Sequence, residues 1–128
     1  MTTATVLIVE DHEANRRLLG VLLGRLGYRV LDAADGQSGL ALANEHLPDL
    51  VLMDIQLPKL DGFAATTALK GQGRTRHIPV VIMTAFALKA EEERWMSSSA
   101  EAFLAKPVRL QDLTATIKRL LPEKGTAP

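Results

Sequence analysis

The 128-residue chain contains no cysteine. That excludes disulfides, thiol catalysis and cysteine-based zinc sites. It has no surplus of charge of either sign, because fifteen basic and fifteen acidic side chains cancel. A nucleic-acid surface needs excess Lys and Arg to neutralise phosphates, so no direct nucleic-acid partner is expected. No apolar run approaches the length of a membrane span, and no membrane partner is expected. The N-terminus, MTTATVLIVE, passes straight into strand-like residues without a basic region or a cleavage site. A secretory signal is therefore not expected, and the expectation is a cytoplasmic, soluble domain. His12, His46 and His77 have no metal-ligand spacing. What is present is apolar bulk: 47% of the residues are hydrophobic, enough for the core of one domain. That domain is expected over residues 1–121, with 122–128, PEKGTAP, as a flexible tail.

Five short apolar runs alternate with longer segments of helical spacing. The first run, Thr5–Val9, is continuous and β-branched, as expected of a strand buried on both faces. The others are Tyr28–Ala33, Leu50–Met53, Pro79–Met83 and Ala102–Ala105. Between them the spacing predicts helices over Glu13–Leu26, Gln37–Glu45, Phe63–Lys70 and Leu88–Met96. A last helix follows Pro107, with Leu110, Leu113, Ile117 and Leu120 on one face. In the first helix Leu18, Leu22 and Leu26 recur at i, i+4 and i+8, with Val21 beside them, as the apolar stripe. This alternation predicts an α/β fold, a doubly wound parallel sheet of five strands with five helices.

In such sheets ligands bind beyond the carboxyl ends of the strands. Strand one is followed by Glu10 and Asp11, strand three by Asp54, strand four by Thr84 and strand five by Lys106. Carboxylates gathered at one edge repel: two charges about 5 Å apart at an effective dielectric near 20 cost about 3 kcal/mol. The cluster therefore calls for a cation or a raised pKa. Hard oxygen ligands favour Mg²⁺, or the similar Mn²⁺, over zinc. Lys106 offers a point charge for a phosphoryl oxygen, and Thr84 a hydroxyl donor. Together these are parts for phosphoryl transfer to a carboxylate nucleophile.

Four stretches carry a resemblance: VLIVEDHEANRRLL, PDLVLMDIQLPKLDG, IPVVIMTAF and FLAKP. With the spacing between them, the chain from about Val6 to Leu121 resembles the receiver domains of bacterial two-component response regulators. The wording of DIQLP and MTAFALKAEEER is most similar to stand-alone DivK-type receivers. The resemblance implies a CheY-like, flavodoxin-like sheet of order 2-1-3-4-5. It implies that Asp54 accepts a phosphoryl group from a histidine kinase or a histidine phosphotransfer protein. Asp11 would bind the metal directly, Glu10 mainly through water, and Asp54 and the Gln56 carbonyl would complete the site. Lys106 would pair with Asp54 and then with the phosphoryl group. Thr84 would swing in to hydrogen-bond it, Phe103 would follow as the switch aromatic, and the Lys106–Pro107 bond would be cis. The receiver would assist its own phosphotransfer and its own aspartyl-phosphate hydrolysis rather than act as an enzyme on other substrates. Gln56 and Phe86 would tune the lifetime of the phosphoryl group. The downstream protein target would bind the face formed by the fourth predicted helix, the fifth strand and the last helix.

One stretch departs from the pattern. Many receivers have glycine shortly before the fifth strand, where this chain reads Met96-Ser97-Ser98-Ser99-Ala100-Glu101. A non-glycine residue in a left-handed position there costs on the order of 1 kcal/mol. Either a serine accepts that strain or the helix ends differently. Three other functions stay open at this point. They are a constitutive interaction module with the same fold, a receiver fragment of a hybrid histidine kinase, and a flavodoxin-type cofactor binder. The acidic pocket opposes a flavin phosphate, which ranks the last one lowest.

Overall fold

Strands β1 (Thr5–Val9), β2 (Arg29–Ala33), β3 (Leu50–Asp54), β4 (Val80–Thr84) and β5 (Ala102–Ala105) form one parallel sheet. Its order is β2-β1-β3-β4-β5, as expected. Helices α1 (Glu13–Arg25), α2 (Gly36–His46), α3 (Gly62–Lys70) and α4 (Leu110–Leu120) accompany it. The computed structural model describes residues 3–85 and 99–121. Phe86 and the expected helix Leu88–Met96, with Trp95 in it, lie outside the described residues, as does the 122–128 tail. No helix among the described residues is long and apolar enough to cross a membrane.

The period-2 alternation of side chains along each strand builds two separate core layers. Val6, Ile8, Leu50, Leu52, Val81, Met83, Ala102 and Leu104 face one side, where Leu19 and Leu23 of α1 and Leu113 and Ile117 of α4 cover them. Leu7, Val9, Val51, Met53, Val80 and Ile82 face the other, against Ala43 of α2 and Phe63, Ala65 and Leu69 of α3. Both faces are covered, so the central strands read as unbroken apolar runs.

Three expectations needed correction. Strands β3 and β4 extend one residue further than their apolar runs, to Asp54 and Thr84. The parallel ladder pairs Asp54 with Met83 and Thr84 with Ala105, so backbone pairing continues after hydrophobicity stops. In α1 the buried residues are Leu19 and Leu23, while Leu18 is 58% and Val21 52% exposed. The stretch RRLLGVLLGRL holds two leucine ladders one residue apart. Both satisfy helical spacing, and only packing against the sheet selects one. In α4, Leu113 and Ile117 are buried and Leu120 packs partly on the core, but Leu110 is exposed.

Helix starts follow local chemistry. Asp35 accepts from the Ser38 N–H at 2.8 Å, and Asp61 from the Ala64 N–H at 2.8 Å, each satisfying a donor the helix cannot. Near the start of β5, Glu101 accepts from the Val80 N–H at 2.8 Å and from Lys70 Nζ at 2.7 Å. Just before it, Ser99 has φ 69, so a serine does occupy the left-handed region. Replacing it should remove strain that a Cβ imposes there. Ser99→Gly is expected to raise unfolding stability by about 0.5–1 kcal/mol, measured as the shift of the urea midpoint at unchanged slope.

Candidate functional site

The strand order reverses between β1 and β3, and the site sits where their carboxyl ends emerge. Glu10 follows β1 directly. Its N–H donates to the Ala33 carbonyl at 3.0 Å, which carries the β1–β2 ladder one step past the strand. Lys106 does the same beyond β5, donating its N–H to the Thr84 carbonyl at 2.7 Å. Asp54 is the last residue of β3. Counting by twos from the core, Glu10 continues Val6 and Ile8, Asp54 continues Leu50 and Leu52, and Lys106 continues Ala102 and Leu104. All three therefore belong to the face under α1 and α4, and strand parity brings them together. Thr84 continues Val80 and Ile82, the opposite face, and is buried at the end of β4.

The side chains meet as parity requires. Lys106 Nζ lies 2.8 Å from Glu10 Oε1 and 3.0 Å from Asp54 Oδ1. Glu10 is 1% exposed and Asp54 3%. Glu10 Oε2 also accepts the His12 N–H at 3.1 Å, and Asp54 Oδ1 the Gln56 N–H at 3.4 Å. Asp11 is exposed beside them, and one oxygen from each of Glu10, Asp11 and Asp54 lies within 4.8 Å of the other two. The Lys106–Pro107 peptide bond is cis. Phe103 is half-buried on β5 and packs against the α2–α3 core layer, away from the ion pairs.

One contributor escaped sequence reasoning. Arg16 Nη1 donates to the Glu10 carbonyl at 2.9 Å and fixes the turn between β1 and α1. The sequence offers Arg16 and Arg17 side by side. Arg16 shares the helical face of the buried Leu19 and Leu23, so the correct phase of α1 would have singled it out.

The charges are not equivalent. Burial pushes the Asp54 carboxyl up, and the neighbouring Glu10 pushes it further, against the pull of Lys106; it reaches about 6. Burial also acts on Glu10, but hydrogen bonds from Lys106, from Asp54 and from the His12 N–H outweigh it and hold that carboxyl below the ordinary range. Lys106 loses hydration by burial, yet Glu10 and then Asp54 hold its ammonium above the ordinary lysine value. Asp54 is thus the carboxyl that takes up a proton first as pH falls, and it is a free carboxylate above about pH 6. Two buried carboxylates and an exposed one, with only oxygen donors between them, fit a hard divalent cation.

A family model for the response regulator receiver domain matches residues 6–118. The chain belongs to the response regulator receiver domain family. The receiver is 44% identical over 119 residues to the polar-differentiation response regulator DivK of Brucella ovis, covering 93% of this chain and 97% of that protein. Among solved structures it is similar to the receiver domain of the sensor histidine kinase PA1611 of Pseudomonas aeruginosa PAO1. The TM-score is 0.89 with 33% identity, over 95% of this chain and 100% of that one, and that structure has a magnesium ion coordinated in its active-site cleft. The chemotaxis protein CheY4 of Vibrio cholerae also matches, with a TM-score of 0.89 at 28% identity, over 94% of this chain and 100% of that one. The receiver is accordingly a phosphorylation-dependent signalling switch, and Glu10, Asp11 and Asp54 form an acidic cluster at the carboxyl edge of its sheet.

The raised Asp54 pKa makes a stability prediction. An unfolded aspartate titrates near 3.9, so between about pH 4 and pH 6 the folded metal-free protein binds more protons at Asp54 than the unfolded chain. Stability from this group is present below that window and declines as pH rises through it. Asp54→Asn keeps the shape without the charge. In the absence of divalent metal it is expected to be more stable than wild type at pH 7.5, by up to about 3 kcal/mol, with the gap closing near pH 4. Urea unfolding across that range measures it, and a variant less stable at pH 7.5 contradicts the charge assignment.

Proposed function

We propose that Asp54 is the acceptor, receiving a phosphoryl group from phosphohistidine on a histidine kinase or histidine phosphotransfer protein. The observation that carries this reading is the single ammonium of Lys106 within hydrogen-bond distance of both Glu10 and Asp54 at the ends of three strands. An Asp54 Oδ attacks phosphorus as the P–N bond to the partner's imidazole breaks, and the departing imidazole keeps the bonding pair and takes up a proton. Lys106 Nζ moves its charge from the carboxylate to the phosphoryl oxygens as they become more negative. Asp11, Glu10, Asp54 and the Gln56 carbonyl would hold Mg²⁺ or Mn²⁺, which when bound supplies further positive charge to those oxygens. Water then hydrolyses the acyl phosphate and restores Asp54, a reaction the receiver performs only on itself.

The signal follows from the added dianion. The Thr84 hydroxyl turns to donate to a phosphoryl oxygen, and Phe103 moves into the space this leaves. Moving a two-state element from 1:99 to 99:1 takes about 5.5 kcal/mol of preference, and charge-assisted hydrogen bonds supply a large part of that. The proposed output face includes β5, α4 and the expected helix Leu88–Met96; the last lies outside the described residues. For the phosphoryl donor, a groove of about 360 Å³ runs beside Glu10 and Lys106, lined by Leu18, Leu22, Pro107 and Val108. Its apolar rim, with Leu18 exposed, offers a docking partner area to bury next to the reacting groups. We take residues 1–121 as the receiver unit, 122–128 as its tail, and the cytoplasm as its compartment.

Phosphorylation with a small donor tests the reading. After incubation with phosphoramidate or acetyl phosphate and Mg²⁺, intact mass is expected to rise by one phosphoryl group in wild type and not in Asp54→Ala. Lys106→Gln should be phosphorylated about 10²-fold more slowly. Thr84→Ala should accept the group yet lose the amide shift changes that accompany it in NMR spectra. No adduct on wild type with any donor would identify a constitutive interaction module instead.

A further inference from the structure

The segment 55–61 joins β3 to α3 and carries Gln56 past the site. It is held by two close approaches that no side chain mediates. Gly62, the first residue of α3, donates its N–H to the Ile55 carbonyl at 3.0 Å. A Cβ built on Gly62 would lie 2.1 Å from the Asp54 carbonyl oxygen, 2.9 Å from the Asp54 carbonyl carbon and 2.9 Å from Ile55 Cα. All three are main-chain atoms, so no rotamer change relieves the overlap. On its other side this stretch is fixed by the ladder, where the Ile55 N–H donates to the Met83 carbonyl at 3.0 Å. Gly36, the first residue of α2, repeats the arrangement further along: its Cβ would lie 2.5 Å from the Leu60 carbonyl oxygen. Neither glycine has a positive φ, so space alone forbids a side chain at these two positions.

We propose that Gly62 is a positioning residue for phosphoryl acceptance. The Cα surface of Gly62 forms the back wall of the Asp54–Ile55 peptide and sets where the carboxylate stands relative to Lys106. Gly36 supports the same segment from α2 and holds the stretch that carries Gln56. This inference rests on Asp54 being the acceptor. A Cβ at position 62 forces the peptide and the helix apart by roughly 1 Å, and a misplacement of that size at reacting groups slows a reaction by about 10²-fold.

The test compares Gly62→Ala, Gly36→Ala and Ile117→Ala with wild type. Ile117 of α4 is buried in the core layer on the opposite face of the sheet from Ile55, and its truncation serves as a control for lost stability alone. Circular dichroism first establishes that each variant is folded at the assay temperature. Two quantities are then read: the rate of phosphorylation by phosphoramidate, from intact mass, and the Mg²⁺ dissociation constant without donor, from amide shifts in NMR titration. Gly62→Ala is expected to be phosphorylated 10- to 100-fold more slowly than both wild type and Ile117→Ala, with Mg²⁺ bound several-fold more weakly. Gly36→Ala should show the same signs with smaller size, and it decides the matter if Gly62→Ala does not fold. A glycine variant as fast as wild type, or a control slowed equally, overturns the proposal. If wild type itself takes no phosphoryl group, the acceptor reading fails. The Mg²⁺ titration then judges the glycine separately, and an unchanged dissociation constant in the glycine variants overturns it.

Discussion

The ammonium of Lys106 stands between two carboxylates that repel each other in a buried space. Everything near the site depends on that arrangement. Removing charges from water is expensive, and a buried ion pair of this kind contributes little net stability. What it supplies is a placed set of charges. The cost falls unevenly: Glu10, with donors from Lys106 and from the backbone of His12, is held below the ordinary carboxylate range, while Asp54 is pushed up to about 6. Asp54 is left as the basic, incompletely compensated carboxylate of the pair. A group in that state gains most from an added cation and is the better placed to act as a nucleophile.

The sheet makes this arrangement possible because it is rigid and covered on both faces. Strand ladders continue past the apolar runs to Glu10, Asp54 and Lys106, so each functional backbone is held by the same bonds as the core. Strand parity then sorts the side chains. Even-numbered positions of β1, β3 and β5 face α1 and α4, which gathers the two acids and the lysine; β4 is offset by one, which places Thr84 on the other side. The hydroxyl and the ion pairs therefore approach the crevice from opposite faces of one sheet. The two glycines complete the frame from the helix side, where any Cβ would meet main-chain atoms.

Much of this was legible in the sequence. The apolar runs located all five strands, and their ends selected Glu10, Asp11, Asp54, Thr84 and Lys106 without reference to chemistry. The apolar runs stop at polar residues, although the ladders of β3 and β4 carry one residue further, to Asp54 and Thr84. The phase of α1 was not legible, since adjacent leucines give two ladders with the same period, and Arg16 was missed with it. The close approaches of Gly62 and Gly36 were equally hidden. A glycine in sequence does not state whether it serves conformation, flexibility or space.

What the sequence by itself determined is therefore the alternation of elements and the residue types that end them. Those are local properties: hydrophobic period, β-branching and turn chemistry act over a few neighbouring residues. The tertiary structure alone decided which leucines of α1 are buried, that Lys106 reaches Glu10 across 96 residues as well as Asp54, and how closely α3 approaches β3. Such distances arise between elements far apart in the chain. They are set by how whole faces pack, and no local pattern records them.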